Sequence, residues 1–168
     1  AEDLAALKPV HEGARHTPGA QTHPADGTAG ALVMSLQAAR AQAAGDGIVR
    51  LVTAAVARVE KARMPKAATV AAQAALSEAG LRMDQVHAVG THNPFAVNDL
   101  WLAQQTGCPL ERMNAYGCSL VYGHPQGPTG LRGLAELVHT LVLRGGGVGL
   151  FTGCAAGDTG AALVIQVD

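Results

Sequence analysis

The feature that most constrains this chain is its alternation of short apolar runs, typical of strands, with Ala-rich or Leu-rich segments, typical of helices. The predicted strands span residues 30–34, 48–59, 86–90, 148–152 and 161–167. The predicted helices span residues 36–44, closed by Gly45, then 65–80, 94–105, and a segment that Thr129 caps and the glycines at 145–147 end. This alternation predicts an α/β fold: a mixed, mostly parallel sheet covered by helices and ending in an antiparallel strand pair.

The domain organisation follows from the length and from the punctuation of the chain. With 168 residues and 48% hydrophobic residues, the chain can bury one core, so we expect one domain over residues 1–168. Residues 1–26 are rich in turn residues and predict an irregular lead-in. The chain has no initiating Met and no strand before Leu7, so we expect it to be a piece of something longer.

The charge and cysteine content exclude several classes of function. A charged fraction of 15% and a net charge of -1 give no basic field, so neither nucleic acid nor a membrane surface is an expected partner. No apolar stretch is long enough to span a bilayer and no targeting segment is evident, which predicts a cytoplasmic protein. Three cysteines at no metal-ligand spacing argue against a disulfide framework and against a zinc site.

His124 is the first residue that could do chemistry. It lies between Gly123 and Pro125 in a glycine-rich loop that opens directly onto a helix. A histidine fixed in this way can act as a general base near neutral pH, because its ordinary pKa lies close to that range. An equally good interpretation of the local sequence is a histidine that only satisfies loop carbonyl groups.

Cys154 and His92 are the other two candidates. Glycines flank Cys154 in the segment that joins the last two strands, which predicts an accessible thiol at the bend, although most lone cysteines are buried as small hydrophobic residues. His92 follows a predicted strand and precedes a helix, which is a weak signal alone. Together the three side chains can converge on one substrate carbonyl.

Three segments carry a resemblance to a known family. They are Asp-Gly-Thr-Ala-Gly-Ala at residues 26–31, the Gly-His-Pro loop that follows Asn114, and Cys154 followed by Gly157 and Gly160. In order and spacing they resemble the C-terminal domain of the thiolase family, and the likeness covers nearly the whole chain. Ketoacyl synthases share the fold but place a second histidine where this chain has Cys154.

The resemblance implies a mechanism and a set of partners. It implies that His124 activates an acyl-accepting cysteine and holds the thioester oxygen, and that Cys154 moves a proton at the α-carbon of the acetyl-CoA unit. The backbone at Ala156 and Gly157 would complete an oxyanion hole. The implied substrates are acetyl-CoA and other acyl-CoA thioesters in Claisen condensation or thiolysis. No permanently bound cofactor or metal is implied.

The sequence departs from the usual family pattern at two places. His-Asn-Pro-Phe at residues 92–95 replaces Asn-Glu-Ala-Phe, which resembles the sterol-carrier-protein-type thiolases and bacterial and archaeal relatives with His-Asp-Cys-Phe. His92 would then stabilise the enolate oxygen, and a small zinc-binding partner protein is implied as a possible companion. Asn93 lacks the charge of the acid, and Ala156 stands in a stretch where glycines are usual.

None of the three cysteines matches the nucleophile of the family, which the N-terminal half carries. We therefore expect that an N-terminal thiolase domain is missing from this chain and that the isolated chain does not turn over 3-ketoacyl-CoA. With that half, the resemblance implies a homodimer or a tetramer. The alternative is a non-catalytic thiolase-like module that binds acyl-CoA or serves as a scaffold.

Overall fold

A computed structural model describes residues 2–43 and 47–168 of the chain. In these ranges the helices are α1 Glu2–Ala5, α2 Leu36–Gln42, α3 Met64–Glu78, α4 Ala96–Thr106, α5 Ser119–Tyr122 and α6 Thr129–Leu143. The strands are β1 Val49–Arg58, β2 Ala88–His92, β3 Gly147–Ala155 and β4 Thr159–Val167. Single 3-10 turns lie at Pro18–Ala20, Met83–Gln85 and Leu110–Arg112. None of the helices in the described ranges is long and apolar enough to cross a membrane.

The strands form one sheet in the order β1-β4-β3-β2. The mixed α/β class, the covering helices and the final antiparallel pair are confirmed, but the expectation of a mostly parallel sheet is wrong. Only β2 and β3 are parallel among the described strands, whereas β4 runs antiparallel to both β3 and β1. The reason is the connection between β3 and β4, which is only residues 156–158, and so short a turn forces the two strands to be antiparallel.

Helices cover both faces of the sheet. Because side chains alternate along a strand, Leu150 of β3 packs in the core beneath α3 and α4, while Phe151 packs in a second core beneath α6. Helix α3 buries mainly alanines, which let it lie close to the sheet. The two elements lie in direct contact at Gly160, where an added Cβ would lie 2.4–2.6 Å from backbone atoms of Ala67 and Ala68.

Most predicted elements are confirmed with small shifts of their ends. The strand predicted at 48–59 and the helix predicted at 65–80 match β1 and α3 closely. The strand predicted at 86–90 lies two residues later, so that His92 ends β2 and does not stand in a turn. Pro94 is not the first helical residue, because α4 begins at Ala96. The predicted end of α2 at Ala44 and Gly45 lies outside the described residues.

The strand predicted at residues 30–34 is wrong. This segment is irregular, and Leu32 and Val33 are 79% and 85% exposed. An apolar run becomes a strand only when a neighbouring strand takes up its backbone hydrogen bonds, and no strand in the described part of the chain pairs with this one. Residues 2–26 contain α1 and one 3-10 turn and are otherwise irregular.

Candidate active site

His92 is the last residue of β2 and is 9% exposed. Its Nδ1 is hydrogen-bonded to the hydroxyl of Ser119, which is fully buried at the start of α5, at 2.8 Å. Burial, together with the nearby His124 and Arg132, lowers the pKa of His92 to about 4. The ring is therefore neutral at neutral pH, and its Nδ1 is already engaged.

His124 lies in the loop between α5 and α6, and the lead-in holds that loop in place. The backbone N–H of His124 donates to the carbonyl of His23 at 2.8 Å. Gly123 has φ +84°, and an added Cβ there would lie 2.7–2.9 Å from Ala25 and His23. Only glycine fits both the conformation and the space at this position, which explains the glycine of the Gly-His-Pro motif.

Thr129 fixes the ring of His124. Its hydroxyl is 2.7 Å from His124 Nδ1. Thr129 was expected to cap α6, but it is the first helical residue, the cap position belongs to Pro128, and no side chain caps the helix. Burial lowers the pKa of His124, and a hydrogen bond from the protonated ring to the Gln126 side chain opposes this in part. Both histidines thus have Nδ1 on a hydroxyl group, which leaves each Nε2 as the reactive nitrogen.

The two imidazole rings are in direct contact. Their centroids are 4.4 Å apart and their planes are inclined by 29°, so they stack. Two α-helices, α4 and α5, and a 3-10 turn separate His92 and His124 in the sequence, and the end of β2 and the Gly-His-Pro loop bring them together.

Cys154 lies on the neighbouring strand, and its setting differs from the prediction. The predicted accessible bend is wrong: Cys154 is part of β3, is 7% exposed, and pairs with Gly160 of β4. Burial raises the pKa of its thiol. In the parallel pair His92 is opposite Gly153, so Cys154 is one residue beyond the partner of His92.

The thiol contacts neither imidazole through a hydrogen bond among the described residues. Its sulfur instead accepts a hydrogen bond from the side-chain amide of Asn98 on α4, at 3.3 Å. The structure therefore brings the two histidines together and places Cys154 at the same end of the sheet. The sulfur of Cys154 lies on the face of the sheet that α4 covers.

The predicted backbone donors lie at the tip of the β3–β4 hairpin. Gly157 has φ +81° and Asp158 has φ +59°, whereas Ala156 is outside the left-handed region. An alanine at 156 therefore carries no backbone strain, and the glycine usual in this stretch is not required at that position. Ala156 and Gly157, the two predicted donors, are both exposed.

Asp99 on α4 is a residue that the sequence reasoning missed. Its carboxylate accepts hydrogen bonds from the hydroxyl of Thr91 at 2.7 Å, from the amide of Asn93, and from the amide of Asn114 at 3.2 Å. Asn114 also accepts from the backbone N–H of Thr91. Burial raises the pKa of Asp99, and these hydrogen bonds oppose the rise. The network holds the residues on either side of His92, through the backbone and hydroxyl of Thr91 and the side chain of Asn93.

Asp99 supplies a carboxylate next to Asn93, where the resemblance implies an acid and this sequence has an amide. The signal was present in the sequence, because Asp99 follows Asn93 by six residues and faces it once the intervening turn and first helical turn have formed. Local sequence does not show that turn geometry. The Oδ1 atom of Asn93 has no hydrogen-bond partner in the described part of the protein.

Among the residues that the structure describes, the remaining cysteines and the other metal-ligating side chains form no metal site. Cys108 is buried, with its sulfur near the carbonyl of Pro109, and burial raises the pKa of its thiol. All three cysteines are free. Across residues 2–43 and 47–168, no group of three or more His, Cys, Asp or Glu side chains is placed to hold a metal ion.

Known proteins share the sequence pattern and the fold of this chain. The family model described as thiolase, C-terminal domain, matches residues 46–167. An acetyl-CoA acetyltransferase of Pseudomonas aeruginosa is 34% identical over 169 residues, which cover 99% of this chain. The crystal structure of human mitochondrial 3-ketoacyl-CoA thiolase superimposes with a TM-score of 0.87 at 27% identity, and that of Bacillus anthracis acetyl-CoA acetyltransferase with 0.87 at 25%, each over 99% of this chain. The chain spans 42% of the length of each of these proteins.

Proposed function

The chain belongs to the thiolase family, as its C-terminal domain, and from this premise we propose that it is the catalytic C-terminal half of an acyltransferase acting on CoA thioesters. The proposed domain spans residues 1–168. The proposed reaction is the thiolysis of 3-ketoacyl-CoA or the reverse Claisen condensation of acetyl-CoA. It requires an N-terminal half that carries the nucleophilic cysteine, and we call the two halves together the assembled enzyme.

The observation that carries the proposal is the stacked pair of His92 and His124 beside Cys154 at the end of β2 and β3. Reactive groups in α/β folds collect beyond the carboxyl ends of parallel strands, and β2 and β3 are the parallel pair here. A substrate that binds beyond the strand ends can contact side chains from both faces of the sheet. It can therefore contact the thiol on one face and the imidazoles on the other.

His124 is the proposed general base for the nucleophilic cysteine. It fits this role because burial lowers its pKa and keeps it neutral, while Thr129 holds Nδ1 and leaves Nε2 for the substrate side. The proton that Nε2 takes from the nucleophile turns it into a donor toward the thioester oxygen. Deprotonated cysteine is then free to attack the 3-keto carbon.

His92 and Cys154 are the proposed groups for the second half of the cleavage. When the bond between C2 and C3 breaks, its electron pair forms the enolate of acetyl-CoA, whose oxygen His92 would stabilise as a neutral N–H donor. Cys154 would give its proton to C2 and complete acetyl-CoA, and in condensation the thiolate would take that proton back. The acyl group then remains on the nucleophilic cysteine as a thioester, and the thiol of free coenzyme A takes it over and releases the cysteine. The N–H groups at Ala156 and Gly157 are the proposed oxyanion donors for this acyl thioester. A coenzyme A thioester is the substrate, and no bound cofactor is part of the proposal.

Exposed apolar side chains support the proposed contact with an N-terminal half. Leu32 and Val33 are 79% and 85% exposed, and Val56 on the edge strand β1 is 80% exposed. Large apolar side chains that are exposed to this extent are expected where a partner covers the surface. The proposal further includes assembly as a homodimer or tetramer, which a measurement of molecular size tests. It also includes a small zinc-binding partner protein, which co-purification tests, and a cytoplasmic location, which cell fractionation tests.

The deciding experiment measures thiolysis of acetoacetyl-CoA by the assembled enzyme and by its H124A and C154A variants. We expect each substitution to lower kcat by about two to four orders of magnitude, as loss of a general acid or base does. The isolated chain should have no thiolase activity. Full activity in both variants would show that neither side chain catalyses the reaction. An assembled wild-type protein that binds acyl-CoA without thiolysis would instead identify a non-catalytic acyl-CoA-binding module.

A further inference from the structure

Asn98 on α4 is a buried amide, 4% exposed, held by two hydrogen bonds to Phe95. Its backbone N–H donates to the Phe95 carbonyl at 3.0 Å, and its Oδ1 accepts from the Phe95 N–H at 3.3 Å. The Phe95 N–H is one of the first N–H groups of α4 and has no acceptor within the helix, so the side-chain oxygen must face it. Because Oδ1 faces Phe95, the Nδ2 group of the Asn98 amide points away from Phe95.

The other end of the amide is a donor, and it faces Cys154. Asn98 Nδ2 lies 3.3 Å from Cys154 Sγ, a normal distance for an N–H group that donates to sulfur. A donor at this position favours the thiolate over the thiol and opposes the effect of burial. It also selects one direction for the sulfur lone pairs.

The backbone beneath the thiol is fixed as firmly as the amide. Cys154 pairs with Gly160, and Gly160 lies directly against the backbone of α3. The elements around β3 and α4 also carry Lys66, Asp99 and His92, but within the described ranges Asn98 is the only side chain that hydrogen-bonds the sulfur, and the backbone of Cys154 itself adds to its effect. The thiol is therefore held between a fixed strand and a fixed amide.

We propose that Asn98 is the positioning residue of Cys154: its amide donates to the sulfur, orients the thiol for proton transfer and stabilises the thiolate. The catalytic consequence rests on the proposed function, whereas the effect on the thiol does not. Two substitutions separate a hydrogen bond from simple packing. N98A removes the amide, and N98D keeps its shape and the bond to Phe95 but faces the sulfur with an acceptor.

The first measurement is the titration of each cysteine in the 168-residue chain by the ¹³Cβ chemical shift. We expect the Cys154 titration to move upward by about one pH unit in N98A, the size of one hydrogen bond to a charged group, and further in N98D. Cys108 in the same molecule should not move. Q104A, which removes an exposed amide from the same helix, is the matched control and should leave Cys154 unchanged.

The second measurement is kcat and KM of the assembled enzyme with acetoacetyl-CoA. N98A and N98D should lower kcat about tenfold to a hundredfold with KM changed less than threefold, and the pH profile should shift in the same direction as the thiol. An unmoved Cys154 titration in both variants would overturn the inference. So would a normal rate in both variants when C154A is inactive, and in that case the proposed function stands. An active C154A would overturn the proposed function itself, and with it the catalytic part of the inference.

Discussion

The imidazole of His92 stacks on that of His124 at a centroid distance of 4.4 Å. The Nδ1 atom of each ring is hydrogen-bonded to a hydroxyl group, that of Ser119 for His92 and that of Thr129 for His124. Two imidazolium ions at this distance would repel each other, and burial lowers the pKa of both rings. The pair is thus neutral at neutral pH, which suits a base next to a hydrogen-bond donor.

The stability of the fold should depend on pH through His92. Its folded pKa, about 4, lies below the ordinary value of 6.5, so the unfolded chain binds a proton in this interval and the folded chain does not. The contribution of His92 to the free energy of unfolding is therefore fully present above pH 6.5. It is lost as the pH falls toward 4, and the loss is about 2–3 kcal/mol. Urea unfolding across the interval measures it. H92Q should flatten this part of the curve, and H139Q, at an exposed position of α6, should not. Parallel curves for wild type and H92Q would contradict the prediction.

Asp99 should be a large contributor to stability near the site. D99N replaces an oxygen that faces two amide donors, from Asn93 and Asn114, with a group that is itself a donor. We expect a loss of about 2–4 kcal/mol in the free energy of unfolding, because at least one buried donor loses its acceptor. Denaturant unfolding measures the loss. D84N, which removes an exposed carboxylate paired with Arg82, is the control and should leave the midpoint nearly unchanged. Equal midpoints for the two variants would show that the network adds nothing.

Gly160 should tolerate no side chain. G160A places a Cβ 2.4–2.6 Å from the backbone of Ala67 and Ala68, which α3 can relieve only by moving away from the sheet. The expected cost is about 3 kcal/mol or more, at the upper end of overpacking effects. G30A is the matched control, since Gly30 has open space around its Cα and a φ that alanine adopts. Thermal unfolding compares them, and a G160A transition as high as that of G30A would mean that α3 and β4 are not tightly packed.

The hydroxyl groups behind the two histidines should matter for rate more than for binding. T129V keeps the shape of Thr129 and removes its contact with His124, and S119A does the same for His92. In the assembled enzyme we expect kcat to fall about tenfold or more in each, with a small change in KM, because the rings lose their preferred tautomer. The ¹⁵N shifts of the imidazole nitrogens in the chain report the tautomer directly. Unchanged shifts in both variants would rule out this role.

Sequence patterns predicted the elements that depend on interactions between residues close together in the chain. The alanine-rich α3 begins and ends at proline and glycine signals, and the apolar period of α6 identifies a helix with one buried face. The Gly-His-Pro motif identified His124, and the order of motifs identified the family before any coordinates. The exposed segment at residues 30–34 has a strand-like sequence too, but without a partner strand the sequence preference was not enough.

What the sequence determined by itself is therefore the family, the positions of most elements and the three side chains that the proposal uses. The tertiary structure alone decided that most strand pairs are antiparallel, that Cys154 is buried against Asn98, and that the Asp99 carboxylate lies against the Asn93 amide. The physical reason is the range of the interactions. Helix periodicity and turn chemistry act within a few residues, whereas strand pairing, burial and the choice of a hydrogen-bond partner join residues that come together only when the chain has folded.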